Sequence, residues 1–523
     1  MVKALQRYPR LSALALGVVA ALGFPPLHLW PLTLLALAAT IPLIRSAGRW
    51  QSAFARGWFF GVGHFTFANN WIADAFTYQS EMPAILGWFA VPLLALYLAV
   101  YPALATMGAW MLGRGRGTTA WIAIFAALWI VTEWLRSWVF TGYAWDPLGL
   151  ALLGPWDRPG LAAILPWIGT YALSGLAVLL AGIVWIFVRE RRWWPMGAVA
   201  ALLALGMYLP AGAGERGTVR YTLVQPNIPQ QERDDAAKFE EHFLRTASLT
   251  ARPDRSLERL VLWPEAGVPD YLEDGYPQRY YTRMTAGGDP EFARNRIAQV
   301  IGPQAHLLTG VVNLNIENGR AASADNAVIA IDGEGDITAE YAKAHLVPYG
   351  EYLALRWLLE PLGATRLVAG TIDFKPGPGP RSIEVGGLGK AGVQICYEIV
   401  FSGQVVDREN RPDFIYNPSN DGWFGAFGPP QHLAQARLRA IEEGLPVLRS
   451  TTTGISGTID ARGVVRAAIG MGRADFIDGF IPPAHAPTPF ARLGNGLPLG
   501  WAALLLVLAL GLPSLVARRR ARR

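Results

Sequence analysis

Apolar residues run almost unbroken from position 11 to 210, give way to a mixed region, and return from 496 to 517. Proline, glycine and arginine clusters divide the apolar stretches into candidate spans at 11–24, 31–44, 58–76, 84–112, 118–140, 161–188, 193–209 and 497–517. A helix crossing a bilayer core needs about 20 residues, with a range of about 17–25. The first two segments are short by that measure, which leaves open a hairpin that does not fully cross. A signal peptide is the rival reading of 11–24, but no small-residue cleavage site follows it, and Pro25-Pro26 leads directly into more apolar sequence.

The region between, 218–489, carries a different rhythm. The β-prone run 259–263 ends abruptly at Pro264-Glu265, and 307–312 is another such run. Residues 327–331 lead into Asp332-Gly-Glu-Gly-Asp336, a strong turn signal, and then into 338–341, which together predict a hairpin. Lys343 follows directly, and Glu351 closes the segment Lys343-Ala-His-Leu-Val-Pro-Tyr-Gly-Glu351. A further strand is predicted at 391–395, ending at Cys396-Tyr397-Glu398, and another at 413–416, ending at Asn417-Pro-Ser-Asn420. Helical patterns at 290–301 and 431–444 lie among them. Alternating strands and helices imply a layered α/β domain, and such folds place their sites just past strand ends. The organisation predicted is a transmembrane region of seven spans at 1–212, a water-exposed domain at 218–489 and a final span at 496–517.

Composition agrees: 52% of residues are hydrophobic and 16% charged, against about 25% charged in ordinary soluble domains. Basic residues in short loops stay on the cytoplasmic side. Lys3, Arg7 and Arg10 precede the first span; Arg45, Arg49 and Arg56 lie between the second and third. Arg114 and Arg116 separate the fourth and fifth spans; Arg189, Arg191 and Arg192 separate the sixth and seventh; Arg518, Arg519, Arg520, Arg522 and Arg523 follow the last. The alternate loops 25–30 and 77–82 have no positive charge, and 141–160 has only Arg158. About eight crossings with both ends inside put every cluster on one side and the 218–489 domain outside. The formal charge of +6 is then accounted for by anchors facing anionic lipid, without nucleic acid.

The chain has one cysteine, Cys396, in the outward-facing domain, so no disulfide can form within it. A buried small hydrophobe is the ordinary reading of a free cysteine. Its neighbours suggest chemistry. A thiol attacks a carbonyl as thiolate, and a free cysteine with a pKa near 8.5 is mostly protonated at neutral pH. A carboxylate can take that proton, a role open to Glu265. A fixed ammonium favours the thiolate and offsets the oxyanion that develops, a role open to Lys343. Spacing alone does not bring the three together, and each has an alternative reading as a surface charge or turn residue.

Trp263-Pro-Glu265, the Lys343–Glu351 segment and Cys396-Tyr-Glu398, in that order, resemble the nitrilase superfamily of carbon–nitrogen hydrolases. Gln225-Pro-Asn-Ile-Pro-Gln230, Leu346-Val-Pro-Tyr-Gly-Glu-Tyr352 and Asn420-Asp-Gly-Trp-Phe-Gly425, with the flanking spans, narrow the resemblance to the apolipoprotein N-acyltransferase family. The resemblance implies an α-β-β-α sandwich on a membrane helical bundle, a Glu265–Lys343–Cys396 triad, and Glu351, Tyr397 and Glu398 as supporting residues. It implies a bacterial inner-membrane enzyme with its catalytic domain in the periplasm. The acyl donor would be a phospholipid, typically phosphatidylethanolamine giving its sn-1 chain, and the acceptor the α-amine of an S-diacylglyceryl-cysteine on an apolipoprotein. One departure stands out: where an aromatic is expected shortly after Gln230, the sequence reads Glu232-Arg-Asp-Asp-Ala-Ala-Lys-Phe239.

Other residues admit two readings. Glu133 and Arg136, inside a span, could hold a phospholipid headgroup or form an (i, i+3) pair that fixes packing. Trp423 and Phe424 could form a lid or anchor a packed loop. The seven histidines show no metal spacing, His64 suits a helix–helix hydrogen bond, and no motif calls for a cofactor. Two other function classes stay open: a membrane-tethered amidohydrolase using the same triad, and a non-enzymatic receptor or transporter with a degenerate domain. Retention of all three candidate residues argues against the second.

Overall fold

A computed structural model of the chain describes residues 6–78, 83–362 and 372–521. Lys3, Arg522, Arg523 and positions 79–82 of the loop without positive charge lie outside them. The chain forms two compact units, one of residues 1–73, 85–211 and 487–523, the other of 74–84 and 212–486.

The first unit is helical, and each apolar segment read from the sequence holds a helix. Leu86–Gly113, Thr118–Arg136 and Leu161–Glu190 are long and apolar enough to cross a membrane; Pro9–Ala21, Trp30–Arg45 and Trp193–Tyr208 are shorter apolar helices. Trp50–Ala68 and Gly496–Ala521 complete the set. The third and fourth segments differ most from the sequence reading. The third helix begins at Trp50 rather than 58, because Arg56 need not face lipid: its guanidinium bonds the Leu43 carbonyl and the Ser46 hydroxyl of the preceding turn. It ends at Ala68, where the Asn69 amide bonds the Phe65 carbonyl at 3.0 Å. The fourth segment divides at Ala99 into Leu86–Leu98 and Val100–Gly113. Pro102 has no N–H to donate to the Leu98 carbonyl, so the ladder is interrupted in that turn.

The second unit is a sandwich. Its strands are β1 (Arg220–Gln225), β2 (Arg259–Leu262), β3 (Ala305–Glu317), β4 (Arg320–Ile331), β5 (Ile337–Ala342), β6 (Ser382–Glu384), β7 (Lys390–Val393), β8 (Phe414–Ser419), β9 (Val447–Thr451), β10 (Ser456–Ile459), β11 (Val465–Ile469) and β12 (Asp475–Phe480). They form two six-stranded sheets, β12-β1-β2-β3-β4-β5 and β11-β10-β9-β8-β7-β6. Period-two alternation sorts the layers. Leu260 and Leu262 of β2 face the core between the sheets, with Val393, Phe414, Tyr416 and Leu448 opposite. Val261 and Trp263 face outward, beneath Ala293, Ile297 and Ile301 of the helix Pro290–Ile301. Fully burying each such Leu or Val is worth about 1.5–3 kcal/mol. Helix Gly428–Glu443 packs against β9 and β10, so the layers run helix, sheet, sheet, helix.

Local chemistry sets the boundaries. Asp289 caps Pro290–Ile301 by accepting the Glu291 N–H at 3.0 Å, with proline at the first helical position. Between β4 and β5, Asp332 accepts the N–H groups of Glu334 and Asp336, closing the expected hairpin.

Candidate active site

Three strand ends and one strand interior deliver the polar residues. After β2 the chain passes Trp263, whose indole N–H donates to Thr250 at 2.9 Å, and Pro264, whose carbonyl accepts the Gly310 N–H. A Cβ on Gly310 would stand 2.7 Å from the Glu265 Cα, so only glycine lets β3 hold the Glu265 turn this closely. Lys343 follows β5 immediately, its N–H on the Asn326 carbonyl at 2.8 Å. Cys396 follows β7 after Gln394 and Ile395, and opens a short 3₁₀ turn, Cys396–Val400. The predicted strand over 391–395 is thus two residues too long. Cys396 itself is left-handed, with φ of 50°, a conformation that costs a non-glycine residue about 1–3 kcal/mol.

These segments bring Glu265, Lys343 and Cys396 together. The Lys343 Nζ lies 3.6 Å from Glu265 Oε1 and 3.0 Å from Glu351 Oε1. The Glu265 carboxylate acts electrostatically on the Cys396 thiol, and its Oε2 accepts the Asn420 N–H at 2.8 Å. Lys343, Cys396, Glu351 and Glu265 are only 1%, 5%, 6% and 7% exposed, which keeps bulk water from the thiol. Glu351 also accepts the Val347 N–H at 2.7 Å, pinning the segment that Lys343 opens. Glu398 accepts from Tyr341 Oη, from the N–H groups of Ala344 and His345 beyond Lys343, and from Ile395 N–H before Cys396. It therefore ties the lysine loop to the cysteine turn. Tyr397 is buried beside Cys396, edge-on to Phe401 with centroids 5.0 Å apart.

Electrostatics follow from two carboxylates and one ammonium in a buried space. Burial alone would raise Glu265, but Lys343, the Asn326 amide and Arg233 outweigh it and hold the carboxyl below its ordinary value. Burial would lower Lys343; the carboxylates of Glu351 and Glu265 reverse that and hold it above the usual lysine range. The Cys396 thiol is pushed well up, first by burial and next by the Glu265 carboxylate, with Lys343 and the Asn420 N–H pulling the other way. Burial pushes Glu398 up to about 7 against its backbone donors. The resting site therefore holds a protonated thiol against an ionised carboxylate and a permanent ammonium. That arrangement suits general-base activation of a sulfur nucleophile, with a cation ready for negative charge on an acyl group.

Sequence reasoning missed Asn326. Its Nδ2 bonds Glu265 Oε1 and Glu351 Oε1, each at 2.8 Å, so one amide spaces the two carboxylates around Lys343. The only signal was a polar residue preceding the buried run Ala327–Ile331 of β4. Gln230 and Asn420, noted only as parts of motifs, bond one another at 2.7 Å and support the Asn420 N–H that meets Glu265.

The remaining candidates fall elsewhere. Phe424 packs against the inter-sheet core that includes Cys396 and lies edge-on to His432 at 5.7 Å; Trp423 meets Tyr78 at 6.1 Å. Glu133 and Arg136 belong to the helical unit and are buried there. Arg136 donates to the Trp145 and Asp146 carbonyls at 2.6 and 3.3 Å, and Glu133 accepts the Leu148 N–H at 2.9 Å; together they hold the 145–148 loop. His64 meets the Gly17 backbone of a neighbouring helix.

Residues 16–183 match the family model described as apolipoprotein N-acyltransferase N-terminal domain, and residues 220–478 match carbon-nitrogen hydrolase. The chain is similar along nearly its whole length to curated apolipoprotein N-acyltransferases. It is 32% identical to that of Rhodopseudomonas palustris over 95% of this chain and 94% of that one. It is 34% identical to that of Bradyrhizobium diazoefficiens (98% and 95%), and 32% identical to that of Caulobacter vibrioides (95% and 92%).

Proposed function

This chain belongs to the apolipoprotein N-acyltransferase family, and we propose on that premise that Cys396 carries an acyl group from a phospholipid to the N-terminal amine of a lipoprotein. The single observation that carries the reading is the burial of the only thiol in the chain within the electrostatic reach of Glu265, itself paired to Lys343. In the first half-reaction Glu265 takes the Cys396 proton as sulfur attacks the ester carbonyl. Lys343 faces the oxyanion side, and collapse breaks the ester C–O bond, Glu265 returning the proton to the leaving lysophospholipid oxygen. In the second half-reaction the α-amine of the S-diacylglyceryl-cysteine attacks the thioester. Glu265 takes a proton from nitrogen and passes it to sulfur as the C–S bond breaks, so the amide leaves and the Cys396 thiol and Glu265 carboxylate are restored. The amide is the most stable of the three acyl compounds, so the second step draws the sequence forward. Exclusion of water protects the thioester from hydrolysis.

Phosphatidylethanolamine, through its sn-1 chain, is the proposed donor. The proposed location is a bacterial inner membrane with the 218–489 domain in the periplasm, a reading supported by the basic clusters on alternate loops. Both substrates are then anchored in the bilayer that the helices of this chain occupy. Product analysis tests the reaction class. With phospholipid and a diacylglyceryl-cysteine peptide, the acyl chain should appear on peptide nitrogen. Release chiefly as free fatty acid, unaffected by the peptide, would make the protein a hydrolase instead.

A further inference from the structure

Behind the nucleophile lies a buried charged cluster that the reaction scheme leaves unused. His432 on helix Gly428–Glu443 is wholly buried. Its Nε2 is 3.0 Å from the carbonyl oxygen of Cys396. Its Nδ1 is 2.9 Å from Asp421 Oδ1 and 3.0 Å from Arg449 Nη2. Arg449, on β9, reaches both Asp421 oxygens, at 2.8 and 2.7 Å, and bonds the Ser419 hydroxyl at 2.9 Å. The cluster is close-packed: a Cβ on Gly454 would stand 2.3 Å from Asp421 Oδ2. Burial and Arg449 hold His432 below its ordinary pKa, so the ring is neutral and has one N–H to place.

The Cys396 carbonyl at Nε2 and the Asp421 carboxylate at Nδ1 both only accept, so a neutral ring can donate to just one of them. Only Nδ1 also has a donor beside it, Arg449 Nη2, so Nδ1 accepts from Arg449 and the single proton goes to Nε2. Cys396 is left-handed, and the backbone is held both before and after it. Glu398 accepts the Ile395 N–H before it at 2.8 Å, and His432 donates to its carbonyl after it. A trans peptide carries its N–H opposite its C=O. Fixing the Cys396 carbonyl therefore also fixes the Tyr397 N–H, the backbone donor next to the nucleophile, and donors of that kind stabilise oxyanions in acyl transfer.

We propose that His432 is a positioning residue for acyl transfer: held by Asp421 and Arg449, it donates Nε2–H to the Cys396 carbonyl and so sets the direction of the thiol and of the Tyr397 N–H. The proposal rests on the reading of Cys396 as nucleophile, and the test separates the two. His432→Gln places an amide nitrogen about where Nε2 stands, whereas His432→Asn is too short to reach Cys396. Single-turnover acylation of the full-length enzyme in micelles containing phosphatidylethanolamine is followed by intact mass, beside wild type and Cys396→Ala. His432→Asn should acylate about 10- to 100-fold more slowly, in keeping with the cost of a small misplacement of reacting groups. Its half-saturating donor concentration should be unchanged, and His432→Gln should recover most of the rate. Equal rates in wild type and His432→Asn overturn the proposal, as do equally slow Gln and Asn variants that melt like wild type. The wild-type enzyme supplies an independent readout should either variant fail to fold: ¹⁵N-histidine NMR should show a buried neutral ring protonated at Nε2, and only Nδ1-protonated buried rings would also overturn it. Acylation of Cys396→Ala would overturn the nucleophile itself instead.

Discussion

Glu265 and Lys343 act on one thiol with opposite sign. A carboxylate beside the sulfur penalises the thiolate and raises the Cys396 pKa; the ammonium favours it and lowers the pKa. Glu265→Gln should therefore move the midpoint of Cys396 alkylation to lower pH, while acylation falls by about 10²–10⁴ because the base is gone. A more ionised but less active thiol is the signature of a base, and an unchanged acylation rate in this variant would remove Glu265 from that role. Lys343→Met should move the alkylation midpoint to higher pH and abolish most transfer; Lys343→Arg, which keeps charge but changes reach, should lie between. The pH profile follows from the same contacts. Glu265 is held below its ordinary value, so on lowering pH acylation should persist to below the usual glutamate pKa of about 4.3. Loss of the rate already near pH 6 would contradict an ionised base in the resting enzyme. These residue types were legible because each follows a strand-like run and the chemistry needs all three. Asn326 and His432 were not: one is an amide on a strand and the other a histidine on a helix, and only tertiary packing shows what each faces.

Elements carry two further expectations. Glu398 accepts four hydrogen bonds, three of them from backbone N–H groups. Glu398→Gln turns one oxygen into a donor facing donors, so it should lower unfolding stability by about 1–3 kcal/mol. It should also slow acylation by loosening the Lys343 loop; a variant with wild-type melting and rate would show that the link is idle. In the helical unit, Pro9–Ala21 and Trp50–Ala68 approach through Gly17 and Gly63, where an added Cβ would lie 2.0 Å from the Phe60 oxygen and 2.1 Å from the Leu14 oxygen. Such contacts admit only small residues. Gly63→Val should lower the yield of folded enzyme and its melting temperature, read by fluorescence-detected chromatography and thermal shift. The existence of these helices was plain from hydropathy, because lipid-facing segments must be apolar throughout. Their ends were not, because polar groups such as Arg56 and Asn69 find partners inside the bundle that composition does not reveal.

At the scale of the whole molecule, the chain leaves a membrane helix at Tyr208, forms a complete sandwich and enters the last helix at Gly496. Reporter fusions after Ala213 and near Asp332 should read outside, and fusions after Arg116 and Arg523 inside; an inside signal at Asp332 would refute the periplasmic reading. The apolar, mixed, apolar order of the chain was visible at once from the hydropathy; alternating strands and helices indicated a layered α/β domain, and only the family resemblance implied a sandwich. The pairing of six strands into each of two sheets was not visible, since β12 joins β1 across most of the domain and no local pattern announces so distant a partner. The central claim is that one thiol carries the acyl group between two lipid substrates. Intact-mass analysis of the purified enzyme, given phospholipid and no acceptor, tests it most directly. The wild type should gain the mass of one acyl chain, removable by neutral hydroxylamine, and Cys396→Ala should show neither adduct nor transfer. An adduct that persists in Cys396→Ala, or that resists hydroxylamine in the wild type, would contradict the account.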